Sequence, residues 1–166
     1  MTTPLIPRGD ATLSEDERYR YWLSRPLRGT GPVMCFIGLN PSTADKDTDD
    51  NTIGRMRGFA IREGCREFWV VNEYGLRTKD PKVLAACPPA ERPGPDNDWH
   101  LLTRARAADI VVAAWGSHAL AAARAPHVRQ LLAGIDLRCL GRNGDGQPRH
   151  PLYLRADTAL ETLPPI

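Results

Sequence analysis

Val33-Met34-Cys35-Phe36-Ile37-Gly38 carries no charged or hydrogen-bonding polar side chain, and the run stops abruptly in Leu39-Asn40-Pro41-Ser42. An unbroken apolar stretch of strand length has no face to give to water, so it fits a strand covered on both sides. Pro41 forbids the ladder from continuing, and Gly38 allows a tight backbone. Asn40 is thereby delivered at a sharp turn, at the carboxyl end of a buried strand. In α/β sheets that edge is where ligands and catalytic groups sit. Taken alone, Asn40 is equally a turn former behind a Pro-terminated strand.

The same pattern recurs along the chain. Strand 33–38 is followed by a helical stretch at 52–64, and strand 67–72 by a loop and a helix at 96–108. Strand 109–115 leads into a helix at 117–133. Strand 135–140 leads into a Gly-rich loop, and a short helix at 156–163 closes the order. Apolar strands alternating with helices predict a three-layer α/β/α domain around a central, mainly parallel, four-stranded sheet. Tyr19–Leu23 alternates partially and reads as an N-terminal edge strand, with a short helix as the alternative. Residues 1–13 read as a flexible tail and 14–166 as one domain. The Pro-rich 87–97 segment is a surface connection, because both its flanks are needed for one sheet. Asp96 or Asn97 is the expected cap of the helix that follows.

A length of 166 residues suits one domain with a real core. No stretch approaches the roughly 20 apolar residues that span a bilayer, and MTTPLIPRGD lacks a signal-peptide core, so a cytoplasmic location is expected. A net charge of +2 neither demands nor excludes nucleic acid. Lys46, Lys79 and Lys82 are the only lysines among 22 basic residues. Arginine suits bidentate phosphate contacts, although a chain also rich in Ala and Pro points to a GC-rich genome. Cys35, Cys65, Cys87 and Cys139 contain no Cys-x-x-Cys pair, which argues against a zinc ribbon or an iron–sulfur motif. Cys35 and Cys139 lie in apolar strands and read as reduced core residues. No cofactor is expected.

The four strands end in Gly38-Leu39-Asn40-Pro41, Asn72-Glu73-Tyr74, Trp115-Gly116-Ser117-His118 and Gly141-Arg142-Asn143-Gly144. A parallel sheet gathers those ends along one edge. Each has a bland alternative: Asn72 ends a strand, and Ser117 caps the next helix. Their conjunction is harder to dismiss. Neither a P-loop nor a Gly-x-Gly-x-x-Gly fingerprint is present, nor a Gly-x-Ser-x-Gly elbow. In the loop 141–154, Pro148 and Pro151 bracket Arg149-His150, so a flexible start gives way to a rigid end that presents both side chains in a fixed direction. Asp45, Asp47, Asp49 and Asp50 offer oxygen ligands to a hard cation, but they lack EF-hand spacing and its Gly. They read instead as a solvated loop in which Asp50 or Asn51 starts the next helix, and no metal site is expected.

GLNPSTAD, DDNTI, VVNEYGLRTKDP, AAWGSHA and GQPRHPLYL together resemble an uncharacterised bacterial and phage domain family of unknown function, over roughly residues 19–155. A more distant resemblance is to the uracil-DNA glycosylase superfamily. Gly38-Leu39-Asn40-Pro41-Ser42 is similar to its first motif, closest to the Gly-Ile-Asn-Pro-Gly form of the mismatch-specific enzymes. Val70-Val71-Asn72 resembles the strand whose Asn reads the base edge, Trp115-Gly116-Ser117-His118-Ala119 a Trp-Gly-x-x-Ala segment, and His150-Pro151 the start of its second motif.

This second resemblance implies a DNA glycosylase acting on a flipped-out base. Asn40 and His150 would be catalytic, Asn40 orienting water and His150 donating to the anion developing on the base. Gly38, Leu39, Pro41, Ser42, Phe59, Asn72 and Tyr74 would line the base pocket, with Phe59 as the stacking partner. Ser117, Arg142 and Arg149 would contact phosphate, and Leu152 or Tyr153 would act as a wedge. The expected partner is single- or double-stranded DNA. Ser42 replaces the bulky aromatic that excludes larger bases in uracil-specific enzymes, so a larger or modified base is admitted. Leu152-Tyr153-Leu154 replaces Ser-Pro-Leu. Alternatives to a DNA glycosylase are a nucleoside or nucleotide N-glycoside hydrolase, a non-catalytic reader of modified bases, and a metal-dependent phosphoesterase at Asp45–Asp50.

Overall fold

A computed structural model of the chain describes residues 9–165. The strands are β1 (Asp10–Leu13), β2 (Arg20–Pro26), β3 (Val33–Gly38), β4 (Glu67–Asn72), β5 (Ile110–Ala113), β6 (Leu137–Cys139) and β7 (Glu161–Thr162). The helices are α1 (Asn51–Arg62), α2 (Pro81–Ala86), α3 (Asn97–Ala107) and α4 (Ala119–Leu131), with a single 3₁₀ turn at Pro151–Tyr153. One mixed sheet runs β1-β2-β4-β3-β5-β6-β7. Its middle, β4-β3-β5-β6, is parallel. The outer pairs β1·β2, β2·β4 and β6·β7 are antiparallel.

Every residue of β3 is buried, as its unbroken apolar run requires. Alternate β3 side chains go to opposite faces. Met34 and Phe36 pack with Ile53, Met56 and Phe59 of α1 and with Phe68. Cys35 and Ile37 join Leu101 and Ala105 of α3 and Ala121, Ala125 and Val128 of α4. Both faces of the parallel strands are therefore covered by helices. Each large side chain buried in these layers contributes on the order of 1.5–3 kcal/mol. The four cysteines are buried and unbridged, and no helix among the described residues is long and apolar enough to cross a membrane.

Three expectations are corrected at the ends of the sheet. The N-terminal strand is longer than Tyr19–Leu23 and is not an edge, because β1 pairs outside it. Residues 10–13 thus belong to the sheet and not to a tail, while residues 1–8 of that tail lie outside the described residues. The helix expected at 156–163 is absent. Glu161–Thr162 pairs with β6 instead, and Leu163 donates its N–H to the Leu137 carbonyl at 2.8 Å while its side chain is buried. A long-range pairing has overridden a weak local preference.

The 73–95 stretch also holds α2, which Asp80 caps from the residue before Pro81. Asp50 caps α1 as expected, accepting from the Ile53 N–H at 2.9 Å. At α3 the cap position is Asp96, without a side-chain hydrogen bond. Asn97 is diverted inward, where its Nδ2 donates to the Asn72 and Glu73 carbonyls at 2.9 and 3.2 Å.

Candidate active site

β3 sits at the switch point of the parallel strands: the chain passes to β4 on one side of it and then to β5 on the other. The diverging loops leave a crevice at the carboxyl ends, the usual ligand position in such sheets. Hydrogen bonds hold its walls. The loop after β4 docks on the loop after β3, with Glu73 N–H on the Gly38 carbonyl at 2.9 Å, Tyr74 on Leu39 at 2.9 Å and Thr78 on Pro41 at 3.0 Å. The Gly-rich loop after β6 closes on itself as a hydrogen-bonded turn. Asn143 N–H donates to the Gln147 carbonyl at 2.8 Å, Gly116 N–H to Pro148 at 3.1 Å, and Trp115 Nε1 to Gln147 Oε1 at 2.8 Å.

The crevice has a volume of about 440 Å³, and its wall includes Gly38, Leu39, Asn40, Ser42, Asn72 and His150. A second cavity of about 420 Å³ adjoins it across Leu39, His118, His150 and Tyr153. That neighbour is also lined by Ser117, Asn143 and Arg149.

The orientation of Asn40 is dictated by its surroundings. Its Nδ2 donates to the carbonyls of Thr78 at 2.8 Å, Pro41 at 3.0 Å and Leu76 at 3.3 Å. A flipped amide would place oxygen against three oxygens. Among the described residues Oδ1 has no hydrogen-bond donor, which leaves it as a fixed acceptor. Asn72 presents the opposite polarity. It is 3 % exposed, and its Nδ2 is buried without a partner. Its Oδ1 lies so close to Gly38 that a Cβ built there would approach it to 2.6 Å. Gly38 is thus the only residue that leaves Asn72 its place.

His150 accepts the Leu152 N–H on Nδ1 at 3.2 Å, so the proton of its neutral ring is on Nε2. Burial lowers its pKa, against a weaker opposing pull from Asp50, and the ring is neutral at neutral pH. Close approach across Gly116, whose φ is +78°, brings the loop after β5 against the His150 Cβ. His118 is a second imidazole with its Nδ1 engaged by a backbone N–H. It caps α4, with Nδ1 accepting from the Leu120 N–H at 3.1 Å, so Nε2–H is again the free donor.

Of the expected pocket residues, Gly38, Leu39, Asn40, Ser42, Asn72 and His150 line the first crevice together with Leu152 and Tyr153. Ser117 and Arg149 line the second, and Ser117 is exposed without capping α4. Phe59 does not reach either cavity. It is 2 % exposed in the core under α1, with the guanidinium groups of Arg55 and Arg62 over its ring. Ile53, Met56 and Phe59 share one helical stripe, and only its N-terminal end meets the crevice. Tyr74 is buried in a separate apolar cluster, its hydroxyl donating to the Leu120 carbonyl at 2.7 Å. Pro41 is buried beneath the wall and contributes its carbonyl to Asn40. Arg142 lies outside both cavities, 4.0 Å from Glu161.

The acidic loop is tied into the fold. Asp49 bridges Arg25 and Arg57 at 2.7 Å each, and Asp45 accepts the N–H groups of Asp47 and Thr48 at 2.8 Å. No group of three or more His, Cys, Asp or Glu among the described residues is placed to hold a metal ion.

Sequence reasoning missed Arg20, Lys79 and His118, which all line the first crevice. Only His118 left a local signal, because it follows Trp115-Gly116-Ser117 at a strand end. Arg20 sits inside what reads as an ordinary alternating strand.

Fold and site together define an α/β protein whose polar crevice opens at the carboxyl edge of a parallel sheet. The family model described as protein of unknown function (DUF1643) matches residues 20–152, and the chain belongs to that family. Searches of curated proteins and of solved structures found no match.

Proposed function

We propose that the protein hydrolyses the N-glycosidic bond of a damaged, deaminated or modified base flipped out of DNA into the crevice. The observation that carries this reading is the Asn40 amide, clamped through Nδ2 by three carbonyls so that Oδ1 is a fixed acceptor in the crevice wall. An amide is too weak a base to take a proton, but it orients water well. The water oxygen bonds to C1′, the C1′–N bond breaks, and its electron pair leaves on the base. The water's proton passes to solvent or to the released base.

His150, neutral with its proton on Nε2, donates to the oxygen on which that charge develops. Asn72 Nδ2 supplies a second, already desolvated donor for the base edge. Tyr153 is 86 % exposed at the junction of the two cavities, and Arg149 is exposed beside it. These suit a wedge and a backbone contact. The three-layer, uracil-DNA glycosylase-like arrangement is part of the same proposal, supported by helices on both sheet faces and by the order of the motifs.

The test is base release from single- and double-stranded DNA carrying uracil, mispaired, deaminated and modified bases, with EDTA present. Wild type is compared with Asn40→Ala and His150→Ala. Release lost by at least about 100-fold in both variants supports the assignment. Release that persists in both sinks it. DNA binding without release in wild type favours a non-catalytic reader.

A further inference from the structure

The crevice wall contains a guanidinium that none of these roles uses. Arg20 opens β2 at the inner wall and is 2 % exposed. Its Nη1 donates to the Ala44 carbonyl at 2.6 Å. Its Nε is buried with no partner, Nη2 makes no hydrogen bond among the described residues, and no carboxylate there lies within 4 Å of it. Asp50 and Asp45 favour its charged form only from beyond ion-pair distance, and desolvation outweighs them. Burying a charge without a directly paired carboxylate costs several kcal/mol. Holding one carbonyl needs a single donor and does not account for that cost. Nε and Nη2 form one edge of the guanidinium, the edge that grips a phosphoryl or carboxylate group with two parallel hydrogen bonds.

The surroundings favour an anion as well. Lys79 stands at the exposed rim, and the first turn of α1 reaches the wall through Thr52 and Ile53. Helix N-termini attract negative charge. Buried Asn72 Nδ2 and the Nε2–H of His118 and His150 are further donors. Asp50 is the carboxylate lining this crevice, and its Oδ1 is committed to the Ile53 N–H. Although burial lowers the Arg20 pKa to about 10, the group stays cationic at neutral pH.

We propose that Arg20 and Lys79 form an oxyanion subsite that takes a phosphoryl group, with Arg20 gripping it side-on and Lys79 closing over it from the rim. Assigning that phosphoryl group to the substrate rests on the crevice being the catalytic site; the subsite itself is measurable without catalysis. The group comes either from the DNA backbone or from the phosphate of a free nucleotide.

Titration calorimetry with inorganic pyrophosphate, deoxyuridine, deoxyuridine 5′-monophosphate and a thymidine dodecamer separates these sources. Wild type, Arg20→Lys and Lys79→Ala are compared, with thermal unfolding as the check on fold. Arg20→Lys keeps a charge and a donor for Ala44 but loses the two-donor edge. The expected result is that a phosphate-bearing probe binds at least about tenfold more weakly to Arg20→Lys, and a few-fold more weakly to Lys79→Ala. Monophosphate bound more tightly than deoxyuridine supports a nucleotide source. Dodecamer binding without monophosphate binding, lost in the variants, supports the backbone source. Equal affinity of wild type and Arg20→Lys for every phosphate probe overturns the proposal, as does no binding of any of them. If Arg20→Lys does not fold, unchanged probe binding by Lys79→Ala overturns the two-residue site. Phosphate binding that survives alongside an absence of base release would leave the subsite standing and remove the glycosylase reading.

Discussion

Asn40 owes its direction to three backbone carbonyls supplied by Pro41, Leu76 and Thr78. Asn40→Asp would turn a saturated donor into an oxygen facing those oxygens. We expect it to lower stability by about 2–4 kcal/mol, measured by denaturant unfolding at pH 7. Asn40→Ala removes the donor without adding repulsion, so it should cost less stability while removing activity. Glu73 is a second residue with an environment of its own. Both its carboxyl oxygens are buried without partners, and burial, opposed by Arg124, raises its pKa from 4.5 to about 9. Above about pH 4.5 the unfolded chain ionises this group while the folded chain keeps it neutral. Stability should therefore fall as pH rises from about 4.5 to about 9 and level off beyond. Glu73→Gln should flatten that slope and raise stability at pH 7 by about 1–3 kcal/mol, read from unfolding midpoints across the range.

Between elements, the decisive fit is that of β3 against β4. Gly38 is paired with Asn72 in register, and the absent side chain is the space the Asn72 amide occupies. Gly38→Ala should push Asn72 off the crevice wall. The expected outcome is a loss of at least about tenfold in base release or ligand affinity, with a stability cost of only about 1–3 kcal/mol. A variant as active as wild type would detach Asn72 from the site. Element boundaries were legible wherever a local device marks them: Asp50 before α1, the apolar run of β3, the Gly and Pro that end it. The face that each helix presents was less so. Phe59 reads as an aromatic near Asn40, yet the rotation of α1 turns it into the core. Asn72 was legible because it ends β4, and strand ends share an edge whatever the strand order. His150 was legible because Pro148 and Pro151 bracket it in the loop that follows β6.

Across the whole molecule, both ends of the sheet are finished by strands that local sequence does not announce. β7 is only two residues long, but Leu163 behind it is 5 % exposed and packs into the core shared with α4. Leu163→Ala should cost about 2–4 kcal/mol, measured by chemical denaturation, although the residue lies far from the crevice. A loss under about 0.5 kcal/mol would mean that this edge is dispensable. The sequence by itself determined the parallel centre of the sheet and the edge on which Asn40, Asn72 and His150 gather. Apolar runs, helical periodicity and Gly or Pro punctuation act within a few residues of chain. Only the tertiary structure decided the strand order, the outer strands, the core position of Phe59 and the burial of Arg20 in the crevice wall. Those depend on which distant segments become neighbours, and such contacts are selected by the free energy of packing the whole core.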